Sequence, residues 1–117
     1  MSHVQRGEVY MVKPDPSIGK EQKNKRPCVV VSSNIVNSTA GLIVVCPVTE
    51  GLGLQADIIH ISLNKGEGGL TKDSIILCDQ IKAVDETRII EKLGNLSGGI
   101  MQKIDTALCD ILNLHKN

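Results

Sequence analysis

Apolar and polar positions fall into short runs, with a period of two or none, until Ser97, where a helical period takes over. Residues 8–13 alternate, with Val9, Met11 and Lys13 on one side and Tyr10 and Val12 on the other, which predicts a strand that Pro14 ends. The continuous apolar runs 28–31 and 42–48 predict strands covered on both faces, and in a small barrel a partner subunit can supply one cover. Between them, residues 32–41 are rich in turn formers. Residues 57–63 alternate in part, with Ile59, Ile61 and Leu63 opposite Ile58, His60 and Ser62, and read as a half-exposed strand before the Gly-rich turn 64–69. Residues 74–81 predict a further strand, 85–90 one helical turn and 92–96 a short closing strand. After an N-cap at Ser97, Ile100, Ile104, Leu108 and Ile111 recur with Met101, Ala107 and Leu112 on one helical face. The 117 residues 1–117 therefore predict a single, mainly β domain, a strongly bent sheet or small barrel closed by a C-terminal helix.

Composition sharpens this picture in three ways. The apolar content is Val, Ile and Leu, with one Tyr and no Phe or Trp; this favours strands and argues against RNA-binding modules that stack bases on several rings. Thirteen basic residues balance thirteen acidic ones, so a nucleic-acid site has to be a local cluster. Cys28, Cys46, Cys78 and Cys109 form no CxxC pair and read as buried reduced thiols, which suits a cytoplasmic protein. The sequence has neither an apolar leader nor a membrane-length apolar run, and it implies no metal and no cofactor.

Candidate chemistry begins in the loop 14–27, which carries three prolines, Gly19, Lys20, Glu21, Lys23, Lys25 and Arg26. Loops of this length in compact domains are usually functional or disordered. Arg26 stands at the edge of the strand that follows, where a guanidinium fork is pre-oriented for phosphate; a solvated charged loop fits the same spacing. Thr49 ends a buried strand and either presents its hydroxyl at a rim or serves as a turn residue. Asp73 and Ser74 enter an apolar run that Asp79 and Gln80 leave, which suits a site or plain strand caps. Two of the three histidines, His3 and His115, lie near the termini, so a paired-histidine ribonuclease finds little support. Gly66 to Gly69 lacks the Lys and the helix of a phosphate loop and reads as a hairpin turn.

Taken in order, Arg6-Gly7-Glu8-Val9-Tyr10, Asp15-Pro16, Gly19-Lys20-Glu21-Gln22, Lys25-Arg26-Pro27-Cys28-Val29-Val30-Val31-Ser32, Pro47-Val48-Thr49 and Leu70-Thr71-Lys72-Asp73-Ser74 resemble the MazF/PemK toxin pattern. Leu77-Cys78-Asp79-Gln80-Ile81-Lys82-Ala83-Val84-Asp85 and Lys92-Leu93-Gly94 continue it, so the resemblance covers nearly the whole chain in collinear blocks.

The resemblance implies an SH3-like small barrel of the MazF/PemK/CcdB type that forms a homodimer. It also implies a type II toxin that cleaves single-stranded RNA at a short sequence without metal, inhibits translation and growth, and is held inactive by a cognate MazE-like antitoxin. The family's catalytic arginine falls on Arg26 and its catalytic threonine on Thr49, while Glu21, Ser74 and Gln80 match groove positions. Glu21 is the candidate general base, a role the sequence leaves open. Ser17, Lys20, Gln22, Lys25, Ser74, Asp79, Gln80 and Lys82 complete the expected RNA contacts. Two departures bear on recognition: Lys82 stands where many relatives carry Arg, and Ser17-Ile18 replaces the commoner Thr-Arg. The rival readings are a non-enzymatic toxin of the same fold that inhibits DNA gyrase by protein binding, and a structural or regulatory barrel.

Overall fold

The computed structural model describes residues 4–14, 25–51 and 57–114. Strand β1 (Glu8–Val12) lies between β2 (Arg26–Val30) and β7 (Ile89–Asn95), antiparallel to both. Strand β3 (Leu42–Glu50) pairs with β2 along one edge. Along its other edge it meets β6 (Lys82–Asp85) and then β5 (Ser74–Leu77), which in turn carries β4 (His60–Leu63).

The mainly β fold with a C-terminal helix is as expected, and of the two expected forms, bent sheet or small barrel, the sheet is the open one. Its order runs β4-β5-β3-β2-β1-β7 with β6 branching from β3, and among the described residues β4 and β7 are not joined. The expected strand 74–81 is also corrected. Val48 faces Ile76 while Val45 faces Lys82, so three steps along β3 correspond to six along its partner. The three-residue 3-10 turn Cys78–Gln80 has no counterpart on β3; it acts as a long bulge that breaks one edge into β5 and β6.

Alternation along the strands builds two apolar layers. Val9, Val29, Cys46, Val48, Ile61, Leu63 and Ile76 face Ile100, Met101, Ile104 and Ala107 of the C-terminal helix. Val12, Cys28, Val30, Ile43, Val45 and Val84 form the second layer on the opposite face, with Tyr10 and Ile89 at its margin. The central strands β2 and β3 are thus covered on both faces within one chain, as their unbroken apolar runs require.

Between β2 and β3 the turn-rich segment forms a short helix, α1 (Asn34–Thr39), rather than a plain turn. Ser33 caps it by accepting from Val36 N, and the buried Asn37 amide donates to the Ser32 carbonyl at 3.1 Å. Helix α2 (Gly98–Leu112) matches the predicted helix, with Ser97 accepting from Ile100 N and Asn113 closing it in the left-handed conformation. The Arg6 guanidinium donates to the Val31 carbonyl and pairs with Asp105, tying α2 to the sheet. Residues 86–88 form the expected helical turn, here 3-10. Cys28, Cys46 and Cys78 are buried thiols and Cys109 is half-buried; burial pushes Cys28 up to about 11, which keeps it protonated and unreactive.

Candidate active site

The β2–β3 ladder ends at Cys28 and Pro47, and Pro47 has no N–H with which to extend it. Continuing the same register by two residues would set Arg26 against Thr49. Instead β3 hands its pairing to β5, from Val48 and Ile76 to Glu50 and Ser74, and leaves β2. Where the two strands part, a cleft of about 660 Å³ opens, lined among others by Arg26, Thr49, Glu50, Lys72 and Ser74 over the apolar Met11, Pro27 and Leu93.

Each polar wall residue is placed by backbone structure. Arg26 begins β2 opposite Val12 of β1, so its Cα is fixed while its side chain is exposed. Thr49 is paired with Ile75 and half-buried. Ser74 is buried, and its hydroxyl donates to the Lys72 carbonyl at 2.8 Å, which shapes the segment entering β5 and leaves the oxygen lone pairs available to a donor. Gly51 N donates to the Asp73 carbonyl at 3.2 Å, and Asp73 accepts from Lys65 N at 2.7 Å, so the rim is bound to the Gly-rich turn.

That turn is the opposite wall. Gly69 has φ +77°, and a Cβ there would lie 1.8 Å from the Leu93 carbonyl oxygen; a Cβ on Gly94 would lie 2.6 Å from the Gly68 carbonyl carbon. Backbone therefore packs on backbone between the turn and β7, which only glycine permits. The Gly-rich segment is a turn, as its sequence suggests, but one pressed against a neighbouring strand.

The structure brings Arg26, Thr49 and Ser74 into one cleft, and does not do the same for every expected contact. Ser17, Lys20, Glu21 and Gln22 lie outside the described residues. Lys25 is exposed just ahead of β2. Asp79, Gln80 and Lys82 do not line the cleft. Asp79 and Gln80 are exposed on the bulge, and Lys82 opens β6 opposite Val45. Asp79 is instead engaged by His60, whose Nε2 lies 3.3 Å from Oδ1, while Nδ1 lies 3.1 Å from Asp57 Oδ2. The hydrogen bond to Asp57, aided by the charge of Asp79, raises the imidazole pKa above its ordinary value. The positive charges of Lys82, Arg88 and Arg26 all act on the Cys28 thiol, each lowering its pKa against the larger effect of burial.

Sequence reasoning assigned no role to Glu50 or Lys72, which the structure adds to the cleft as an ion pair at 3.2 Å. Lys72 stands in a motif block read for other residues and Glu50 directly follows another, and only the pairing of β3 with β5 draws those blocks together.

Residues 5–112 match the family described as the PemK-like, MazF-like toxin of type II toxin–antitoxin systems. The chain is 34% identical over 112 residues to an endoribonuclease MazF of Staphylococcus epidermidis, covering 96% of this chain and 93% of that protein. Its fold is similar to that of an endoribonuclease from a Mycobacterial species solved with its cognate antitoxin, with a TM-score of 0.77, 24% identity, and coverage of 97% and 99% of the two chains. It is also similar to a MazE–MazF structure from Deinococcus radiodurans, with a TM-score of 0.77, 23% identity, and coverage of 96% and 97%. By the family match and the relative that spans nearly all of it, this chain belongs to the PemK-like, MazF-like toxins.

Proposed function

We propose that this chain is a sequence-specific, metal-independent endoribonuclease toxin that cleaves single-stranded RNA, with Arg26 and Thr49 as its catalytic residues. The observation that carries the reading is the lining of one cleft by Arg26, Thr49 and Ser74, three positions far apart in sequence that match family positions. The ribose 2′-hydroxyl attacks the adjacent phosphorus and the bond to the 5′ oxygen breaks. The products are a 2′,3′-cyclic phosphate, which can open to a 3′-phosphate, and a 5′-hydroxyl. Arg26 offers its forked donors to the charge that builds on the phosphorane oxygens, and Thr49 donates a hydrogen bond to one of them. Glu21 is the candidate for taking the 2′ proton.

The cytoplasm is the proposed compartment, and no helix among the described residues is long and apolar enough to cross a membrane. The proposed assembly is a homodimer restrained by a MazE-like antitoxin. An extended segment of that antitoxin would lie over residues 21–26 and block the cleft. The endoribonuclease relative favours RNA cleavage over gyrase inhibition, and gyrase binding gives Arg26 and Thr49 no chemical task.

The test is incubation of the protein with long single-stranded RNA in EDTA, with cut sites mapped by primer extension. Cuts are expected at a short recurring motif, and Arg26→Ala and Thr49→Ala are each expected to slow cleavage about 100- to 1,000-fold. RNA left intact by the wild type would overturn the reading.

A further inference from the structure

Glu50 and Lys72 have no part in the chemistry just proposed, yet both line the cleft beside Arg26 and Thr49. Lys72 Nζ lies 3.2 Å from Glu50 Oε1, with the two side chains 66% and 55% exposed. Their backbones are fixed by the β3–β5 register and by the Ser74 hydroxyl on the Lys72 carbonyl. The same two residues also line an adjoining depression of about 410 Å³ with Gly51 and Asp73. The pair therefore lines both hollows, where an RNA strand longer than the first would meet it.

The two charges act oppositely on a polyanion passing there. A carboxylate on the wall repels phosphate, whereas an ammonium attracts it and its phosphate contact releases counterions. An ion pair this exposed is held weakly, so a phosphate oxygen can take the ammonium from the carboxylate. We propose that Lys72 is a phosphate contact for the RNA strand and that Glu50 competes for it, so that the strand seats by displacing Glu50 from Lys72. The inference rests on the RNA-cleaving reading of the cleft and adds an element that restrains binding.

The experiment is fluorescence anisotropy with a mixed-sequence, single-stranded 2′-O-methyl RNA, which lacks the nucleophilic hydroxyl, across a salt series. Cut sites on ordinary RNA are mapped in parallel. Lys72→Met is expected to weaken binding and lower the slope of log K against log salt by about 0.7. Lys72→Arg is expected to restore both, separating charge from any loss of packing. Glu50→Gln is expected to tighten binding, up to about fivefold, and to gain less when Lys72 is also replaced. The cut motif should not change, because phosphate contacts carry no base information. If wild-type protein cuts RNA but Lys72→Met binds it with the wild-type affinity and slope, the Lys72 contact is refuted and the nuclease reading stands. Weaker binding or an altered motif in Glu50→Gln would make Glu50 a base contact and refute the competition. Wild-type protein that neither binds nor cuts would remove both.

Discussion

The two halves of β3 face different tasks with one continuous backbone. From Leu42 to Val45 the strand pairs with β6 along one edge, and from Val45 to Pro47 with β2 along the other, and Ile43, Val45 and Cys46 are each fully buried. From Val48 to Glu50 it keeps only β5 as a partner, and exposure rises from buried Val48 to half-buried Thr49 to exposed Glu50. Pro47 marks the change. The same strand is thus a core element at one end and a rigid mount for polar groups at the other. Functional side chains stay put because the anchored half is tied to two strands and packed into apolar layers on both faces.

The largest effect that would break this comparison is a failure of the two halves to separate under mutation. Ile43→Ala removes apolar volume from a site with no exposure and should cost about 2–5 kcal/mol of stability. Activity per folded molecule should be retained. Thr49→Ala at the other end should leave the denaturant midpoint close to wild type while abolishing most cleavage. Chemical denaturation and single-turnover cleavage on the same samples read both quantities. Coupled losses in both variants would mean that the cleft is not mounted on an independent core.

The division also explains what was legible in the sequence. The buried half is written in unbroken Val, Ile and Cys runs, and α2 in a helical period, so both can be read from pattern alone. Thr49 and Arg26 are legible only as single polar residues at strand ends, which turn residues imitate. It took the collinear family blocks, and then the strand register, to place them in one site. The bulge at Cys78–Gln80 escaped because Ser74 to Ile81 reads as one apolar run with polar ends; nothing in a period of two announces that three residues lose their partner. Asp79 and Gln80 stand on that bulge and do not line the cleft, and Asp79 is held by His60. Helix α1 was hidden because Ser, Asn and Thr are turn formers, and the polar contacts of Asn37 with Ser32 that support the helix leave no mark in the apolar pattern.

A second substitution sharpens the comparison by disturbing the cleft from its far wall without touching β3. Gly69→Ala would force a Cβ against the Leu93 carbonyl at a φ of +77°. The turn must move off β7, at a cost of roughly 1–3 kcal/mol. Because Gly69 and Leu93 both line the cleft, RNA cleavage should fall by more than the lost stability explains. Cleavage measured well below the melting temperature separates the two, and normal activity there would show that this wall does not shape the site.

The smallest expected effect belongs to the β1–β7 pairing, where Glu8 is the one charged side chain among the buried described residues. Burial opposes its ionisation, but Lys92 at 2.7 Å, Gln5 N–H at 2.6 Å and the Tyr10 hydroxyl at 3.0 Å outweigh that cost and hold its pKa below the ordinary value of 4.5. The same contact works in reverse on Tyr10, which burial and the adjacent carboxylate push up to about 12. Since the folded pKa of Glu8 lies below its unfolded value, its stabilising contribution is complete above pH 4.5 and disappears as pH falls through the folded pKa. Glu8→Gln keeps an acceptor for Tyr10 and Gln5 but leaves Lys92 without its carboxylate, and should cost about 1 kcal/mol at neutral pH. The cost should shrink on acidification, so that the wild-type and variant stability curves converge below pH 4.5. Urea titrations at a series of pH values measure this directly. Parallel curves would mean that Glu8 is bound no better as a carboxylate than as an acid, and that the β1–β7 pairing tolerates its buried charge without the help of Lys92.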